Sequence, residues 1–163
     1  KIYPYAYPYK YGGGSYSGEN IIRNGYLKDM PLKIVFHGSY SAPFVGLRHI
    51  TTDANGDTVV DTSNYAEVRT MEGTNIGANE TLVIDALSNR IYKTTKNEDT
   101  GVVTRFDMFN SVDKNYNSFL FADSGDSRVV VSEGSSANSY VEVSYTRYVL
   151  WALLHYMIEL FMH

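Results

Sequence analysis

Short apolar runs separated by turn-forming residues set the pattern along most of this chain. PLKIVFHG (31–38), APFVGLRHI (42–50), YAEVRTME (65–72), ETLVIDAL (80–87), NRIYKTT (89–95), GVVTRFDMF (101–109), DSRVVVSE (126–133) and SYVEVSYTRYVL (139–150) each read as a strand. Their β-branched and aromatic content suits a pleated, half-buried surface. Alternation supports this: Val141, Val143 and Tyr145 fall on one face, with Glu142, Ser144 and Thr146 on the other. The stretches between the runs carry turn chemistry. Asp53-Ala54-Asn55-Gly56-Asp57, Leu87-Ser88-Asn89, Asn97-Glu98-Asp99-Thr100-Gly101 and Glu133-Gly134-Ser135-Ser136 fit hairpins or short loops. Roughly eight or nine strands with few helical windows predict an all-β fold, either an antiparallel sandwich or a barrel. We take the β-sandwich as the expected architecture, spanning residues 19–150.

The two ends depart from this pattern and read as segments of their own. Residues 1–18 are an aromatic-proline arm, KIYPYAYPYKY, followed by a Gly-Ser hinge, GGGSYSG. Pro4 and Pro8 fall on even positions, and Tyr3, Tyr5, Tyr7, Tyr9 and Tyr11 on odd ones. In an extended strand both missing N–H groups then lie on one edge, and the five rings share one face. A polyproline helix would spread the rings around its axis instead. At least part of 2–11 is therefore expected to lie extended against the sandwich or a neighbouring subunit. Residues 151–163, WALLHYMIELFMH, are nearly all apolar, with His155, Glu159 and His163 spaced four apart. On a helix those three would form a narrow polar stripe, giving a terminal helix that docks on a partner. The same residues also fit a continuation of the last strand into the core. A 13-residue helix reaches only about 20 Å, too short to span a bilayer.

Composition narrows the function classes. The chain holds 163 residues, enough for one domain with its own core, and 44% apolar residues argue against overall disorder. Fifteen tyrosines stand against 7 Phe and 1 Trp, and a ring with a polar tip suits wet interfaces. The net charge of −4 and the scattered basic residues leave no phosphate-binding stripe, so nucleic acid is not the expected partner. With no cysteine there is no disulfide, no thiolate catalysis and no Cys-type zinc site. A chain opening on Lys1 reads as processed or as part of something longer.

Reaction chemistry is hard to find. Asp85, Asp107 and Asp113 have no evident partner carboxylate, and the alternation turns Asp85 outward as a solvated strand residue. No GxSxG occurs, and the histidines His37 and His49 read as strand-end rim residues. Asp53-x-Asn55-x-Asp57 mimics the start of a calcium loop. It lacks the glycine after the third ligand and has Asn64 where the twelfth-position glutamate belongs, so a hairpin turn fits better. His155, Glu159 and His163 have ligand-like spacing but no second shell in view. Gly12-Gly13-Gly14 follows no strand that feeds a helix, so it serves flexibility and not phosphate binding. No catalytic residue, metal or cofactor is expected.

The order of the segments carries a resemblance. Pro31, Leu32, Ile34, Phe36 and Gly38 match an xPxIxIxG strand after an aromatic-proline linker. Gly77-Ala78-Asn79-Glu80-Thr81-Leu82-Val83-Ile84-Asp85 matches a GDTLVIDT strand, one residue looser. Phe119, Leu120, Phe121, Gly125, Arg128, Val129 and Val131 occupy an FLxLxPGxNxIxV segment, with Asp123-Ser124 where a proline often stands. Over about residues 1–150 the chain resembles the C-terminal half of the distal tail (Dit) proteins of long-tailed phages that infect Gram-positive bacteria. The resemblance implies a galectin-like β-sandwich and a structural, non-enzymatic role in a phage or prophage tail tip or baseplate. It would link the hub to receptor-binding or other peripheral baseplate proteins. It also implies location in the virion, or in host cytoplasm before assembly. In that family a hexameric ring is built by an N-terminal half that this sequence does not include, so a hexamer is expected only where that half is present. Some members carry carbohydrate-binding insertions, and a module that recognises host cell-surface glycan is the alternative reading. Tyr3, Tyr5, Tyr7, Tyr9, Tyr11, Trp151, Tyr156 and Phe161 are the expected protein-interface residues, as aromatic anchors. The apolar tail 151–163 is longer than the family's usual ending.

Overall fold

The structure is a computed structural model that describes residues 9–11, 20–25 and 27–145, with only the backbone described for 9–11. Fourteen strands follow in chain order: β1 (Tyr9–Tyr11), β2 (Ile21–Asn24), β3 (Met30–His37), β4 (Tyr40–Ser41), β5 (Phe44–Thr52), β6 (Thr58–Val60), β7 (Ala66–Arg69), β8 (Asn75–Ile76), β9 (Glu80–Asp85), β10 (Arg90–Lys96), β11 (Val103–Asp107), β12 (Phe121–Ala122), β13 (Gly125–Val131) and β14 (Tyr140–Tyr145). A single turn of 3₁₀ helix covers Phe109–Ser111. All pairings between strands are antiparallel.

The strands form a β-sandwich. The larger sheet runs β1-β14-β3-β9-β10-β11, with β12 also on β3. The smaller runs β2-β13-β5-β6, with β7 on β5, and β4 and β8 make a separate two-stranded ribbon. Period-2 alternation decides which side chains meet between the sheets. In β3, Leu32, Ile34 and Phe36 are buried while Lys33 is exposed. The register carries this across the sheet. Ile34 lies between Val143 and Ile84, and Phe36 between Val141 and Leu82. From the smaller sheet, Val45, Leu47, Val68, Val129 and Ile22 join the same buried cluster. The ribbon closes one end, where the Tyr40 ring meets Phe36 edge-on at 5.2 Å. Burial pushes the Tyr40 phenol up to about 12, so it stays neutral.

Two differences from the expected strands have local causes. GVVTRFDMF keeps only Val103–Asp107 as strand, because the Asp107 carboxylate accepts the Phe109 N–H at 2.8 Å and turns the chain into the 3₁₀ helix. Five short strands, β2, β4, β6, β8 and β12, are additional to the expected runs. At two to four residues each they carry too little sequence for a period to show. Gly38 follows β3 with φ of +87°, and a Cβ there would come within 2.9 Å of Ser139 Oγ. Glycine alone meets both demands.

Phe36 is fully buried between the two strands that flank β3. Phe36→Ala is expected to cost about 3–5 kcal/mol. Lys33→Ala, on the exposed face, should change stability by less than about 0.5 kcal/mol. Urea unfolding of the two variants and the parent checks the contrast.

Candidate interaction surfaces

The expected interface residues divide between the described and undescribed parts of the chain. Tyr9 and Tyr11 lie in β1, where the backbone pairs with β14: Tyr9 opposite Val143, Lys10 opposite Glu142, Tyr11 opposite Val141. The extended reading of the arm therefore holds for residues 9–11, and the two tyrosine positions share a register row with the core-facing valines of β14. Tyr3, Tyr5, Tyr7, Pro4, Pro8, Trp151, Tyr156, Phe161 and the His155, Glu159, His163 series lie outside the described residues.

At the far edge of the larger sheet, β11 is exposed along its whole length. Val103 is 59% exposed and Phe106 49%. Sequence reading placed this apolar run among ordinary half-buried strands, since a pattern cannot tell an edge from a centre. On the outer face, Arg105 lies over the Tyr92 ring, its guanidinium carbon 3.3 Å from the ring centroid. A depression of about 400 Å³ opens beside them, lined by Arg90, Tyr92, Arg105, Asp107 and Phe109 among others.

The inner face of the same region is also open. Lys93 stands on that face, and its ammonium reaches Glu80 Oε1 at 2.7 Å. Glu80 Oε2 accepts the Gly77 N–H at 2.8 Å, and Thr95 Oγ1 donates to Oε1 at 3.2 Å. Partial burial pushes the Glu80 carboxyl up. The Lys93 hydrogen bond and charge, the Gly77 N–H and the Thr95 hydroxyl outweigh it and hold the carboxyl below its ordinary value.

A cleft of about 720 Å³ lies at the His37 end of this sheet, lined by His37, Asn79, Lys96, Glu98, Asn138 and Tyr140 among others. The His37 and Tyr140 rings stack at 4.4 Å, and His37 Nε2 lies 3.1 Å from Glu142 Oε2. At another margin, His49 stacks on Tyr65 at 3.9 Å. The Tyr65 hydroxyl lies 2.9 Å from Ser127 Oγ and accepts the Asp123 N–H at 3.3 Å. Burial pushes the Tyr65 phenol up, so the group acts as a neutral hydrogen-bonding pin. His37 thus ends β3, as expected, whereas His49 lies within β5, which runs on to Thr52; each histidine stacks on an aromatic neighbour.

The carboxylates considered for chemistry are occupied by backbone N–H groups. Asp53 Oδ1 accepts from Asn55 at 2.8 Å and Asp57 at 2.9 Å, which folds the calcium-like stretch into the β5–β6 turn. Asp85 Oδ1 accepts from Leu87 and Ser88, and Asp113 Oδ1 from Asn115. Among the described residues no three His, Asp or Glu side chains gather as a metal site, and no helix is long and apolar enough to cross a membrane. Compared with known proteins, the chain matches no family model, no curated protein and no solved structure.

Because Glu80 has a lowered folded pKa, its contribution is present above its ordinary value of 4.5 and is lost as pH falls through the folded value. Glu80→Gln should lower stability by about 1 kcal/mol near neutral pH. The gap from the parent should close in acid. Urea midpoints measured from about pH 7 down to about pH 2 read this out, and a gap constant with pH contradicts it.

Proposed function

We propose that this chain is a structural module of a phage or prophage tail tip, joining hub to peripheral baseplate or receptor-binding proteins by protein–protein contact. The observation that carries the reading is strand addition: a segment of the N-terminal arm completes one edge of the larger sheet on β14. A domain that takes an extended segment on its sheet edge uses main-chain hydrogen bonds for affinity. The resemblance adds support, because its three motifs lie on strands that meet around β3. Pro31 to Gly38 covers β3, Gly77 to Asp85 ends in β9, and Phe119 to Val131 holds β12 and β13. β9 and β12 both pair with β3. On this reading the chain does no chemistry of its own and works in the virion, after assembly in the host cytoplasm.

The cleft at His37 favours a second reading, a module that binds cell-surface glycan. Its asparagine, lysine and glutamate side chains offer donors and acceptors beside an aromatic pair.

Two measurements separate the readings. Immunogold labelling with antibodies raised against this chain should decorate the distal tail of particles induced from the source strain. Label confined to the cell surface or cytosol rejects the tail-tip assignment. Saturable retention of the isolated chain on purified cell wall, abolished by changing Asn79 and Asn138 together to Ala, would select the glycan reading.

A further inference from the structure

β11 offers more than an open edge. Met108 N–H donates to Ile91 O at 3.0 Å and Asn97 N–H to Val102 O at 2.9 Å, which fixes the phase of the β10–β11 ladder. Hydrogen-bonded and non-bonded pairs alternate in an antiparallel ladder. Thr104 and Phe106 therefore turn their backbone groups toward β10, while Val103, Arg105 and Asp107 turn theirs outward. Among the described residues nothing pairs with that outer edge. The edge has no proline and no bulge, two of the devices that keep one strand from pairing with another.

The side chains of this edge are self-complementary. Arg105 stacks on the Tyr92 ring, and no carboxylate of the described residues pairs with it. Asp107 uses Oδ1 on the Phe109 N–H and leaves Oδ2 open. We propose that two copies of this chain associate through β11, the strands pairing antiparallel about a two-fold axis at Phe106. This rests on the protein-contact reading above and names the partner as a second copy.

In that register Arg105 of each copy stands opposite Asp107 of the other, twice over. The two Phe106 rings meet on the inner face, and the ladder covers Arg105–Asp107 of each copy, since the chain turns into the 3₁₀ helix after Asp107. Centring the axis on Arg105 sets two guanidiniums against each other, and like charges directly opposite are unfavourable. Centring it on Thr104 leaves Asp107 without the arginine. Isologous two-fold contact of this kind is the commonest symmetry of homo-oligomers. A five-residue strand buries far less than the roughly 1,600 Å² of a standard interface. The association is thus weak in dilute solution and is populated where many copies are held close together.

Sedimentation equilibrium of the full chain tests this. A concentration-dependent dimer is expected, and the Arg105 and Asp107 amides should exchange more slowly with deuterium as protein concentration rises. Arg105→Asp alone faces carboxylate with carboxylate, and Asp107→Arg alone faces guanidinium with guanidinium. Each should weaken self-association roughly tenfold or more. An equimolar mixture of the two variants restores both opposite-charge pairs and should recover dimer near the parental level. A chain that stays monomeric, exchange that ignores concentration, or single reversals that leave the dimer intact would each overturn the proposal. A monomer that still labels the distal tail overturns this contact and leaves the tail-tip reading standing. A dimer that labels no tail tip does the reverse.

Discussion

The alternation of β3 is the constraint on which the remaining structure depends. Only one register puts Leu32, Ile34 and Phe36 between the sheets, and a slip of one residue would turn Lys33, Val35 and His37 inward. Because β3 sits between β14 and β9, its phase fixes theirs, and β9 in turn fixes β10. The row through Ile34 runs Val143, Ile34, Ile84, Ile91, all buried. The row through Phe36 runs Val141, Phe36, Leu82 and then reaches Lys93 and Phe106. Two strands from the middle, the same parity that builds the core delivers a charge and an exposed ring.

That change of character follows the burial. Along β10 the inward-facing Ile91 is still buried, whereas Lys93, two residues on, is partly exposed and Phe106 opposite it is half exposed. A lysine there would be costly in a closed core, but at this open margin its stem lies on the sheet while its head pairs with Glu80. The margins that do close use neutral groups. Asn24, almost fully buried, donates to the Ala122 and Lys28 carbonyls at 2.9 and 3.0 Å. Tyr65 ties Ser127 and the Asp123 backbone together without an ionised group. Buried polarity is thus satisfied in place.

The longer strands were legible in the sequence, and the pairing among them was not. Runs such as 31–37, 80–85 and 140–145 have enough residues for a period of two to show, and the structure places strands there. Ile21–Asn24 or Tyr40–Ser41 become strands only because distant partners, Gly125–Arg128 and Asn75–Ile76, reach them. The use to which the acidic residues are put depends on geometry that the sequence pattern does not carry. Asp85, Asp107 and Asp113 each accept an N–H two residues on, which organises a turn and takes up a carboxylate oxygen. The arm could be read at residues 9–11 because the tyrosines stand at every second position of the sequence, the period of an extended strand. Nothing comparable marked β11. Val-Thr-Arg-Phe-Asp has the composition of any half-buried strand, and its exposure follows from being last in the pairing order.

The two edges of the larger sheet therefore differ in kind. At the β14 edge, the outermost strand comes from the chain's own arm, preceded in sequence by prolines and followed by glycines. At the β11 edge the outward backbone is bare, with an arginine stacked over Tyr92 and, two residues on, an aspartate with one oxygen spare. An edge filled from its own chain is protected from unspecific pairing, since β14 is paired with β3 on one side and β1 on the other along Val141–Val143. An edge left bare is safe only if its side chains discriminate among partners. Opposite charges two residues apart do this, because they favour one offset and penalise its neighbours. The pairing order leaves that edge bare, and the charge order along β11 makes it selective.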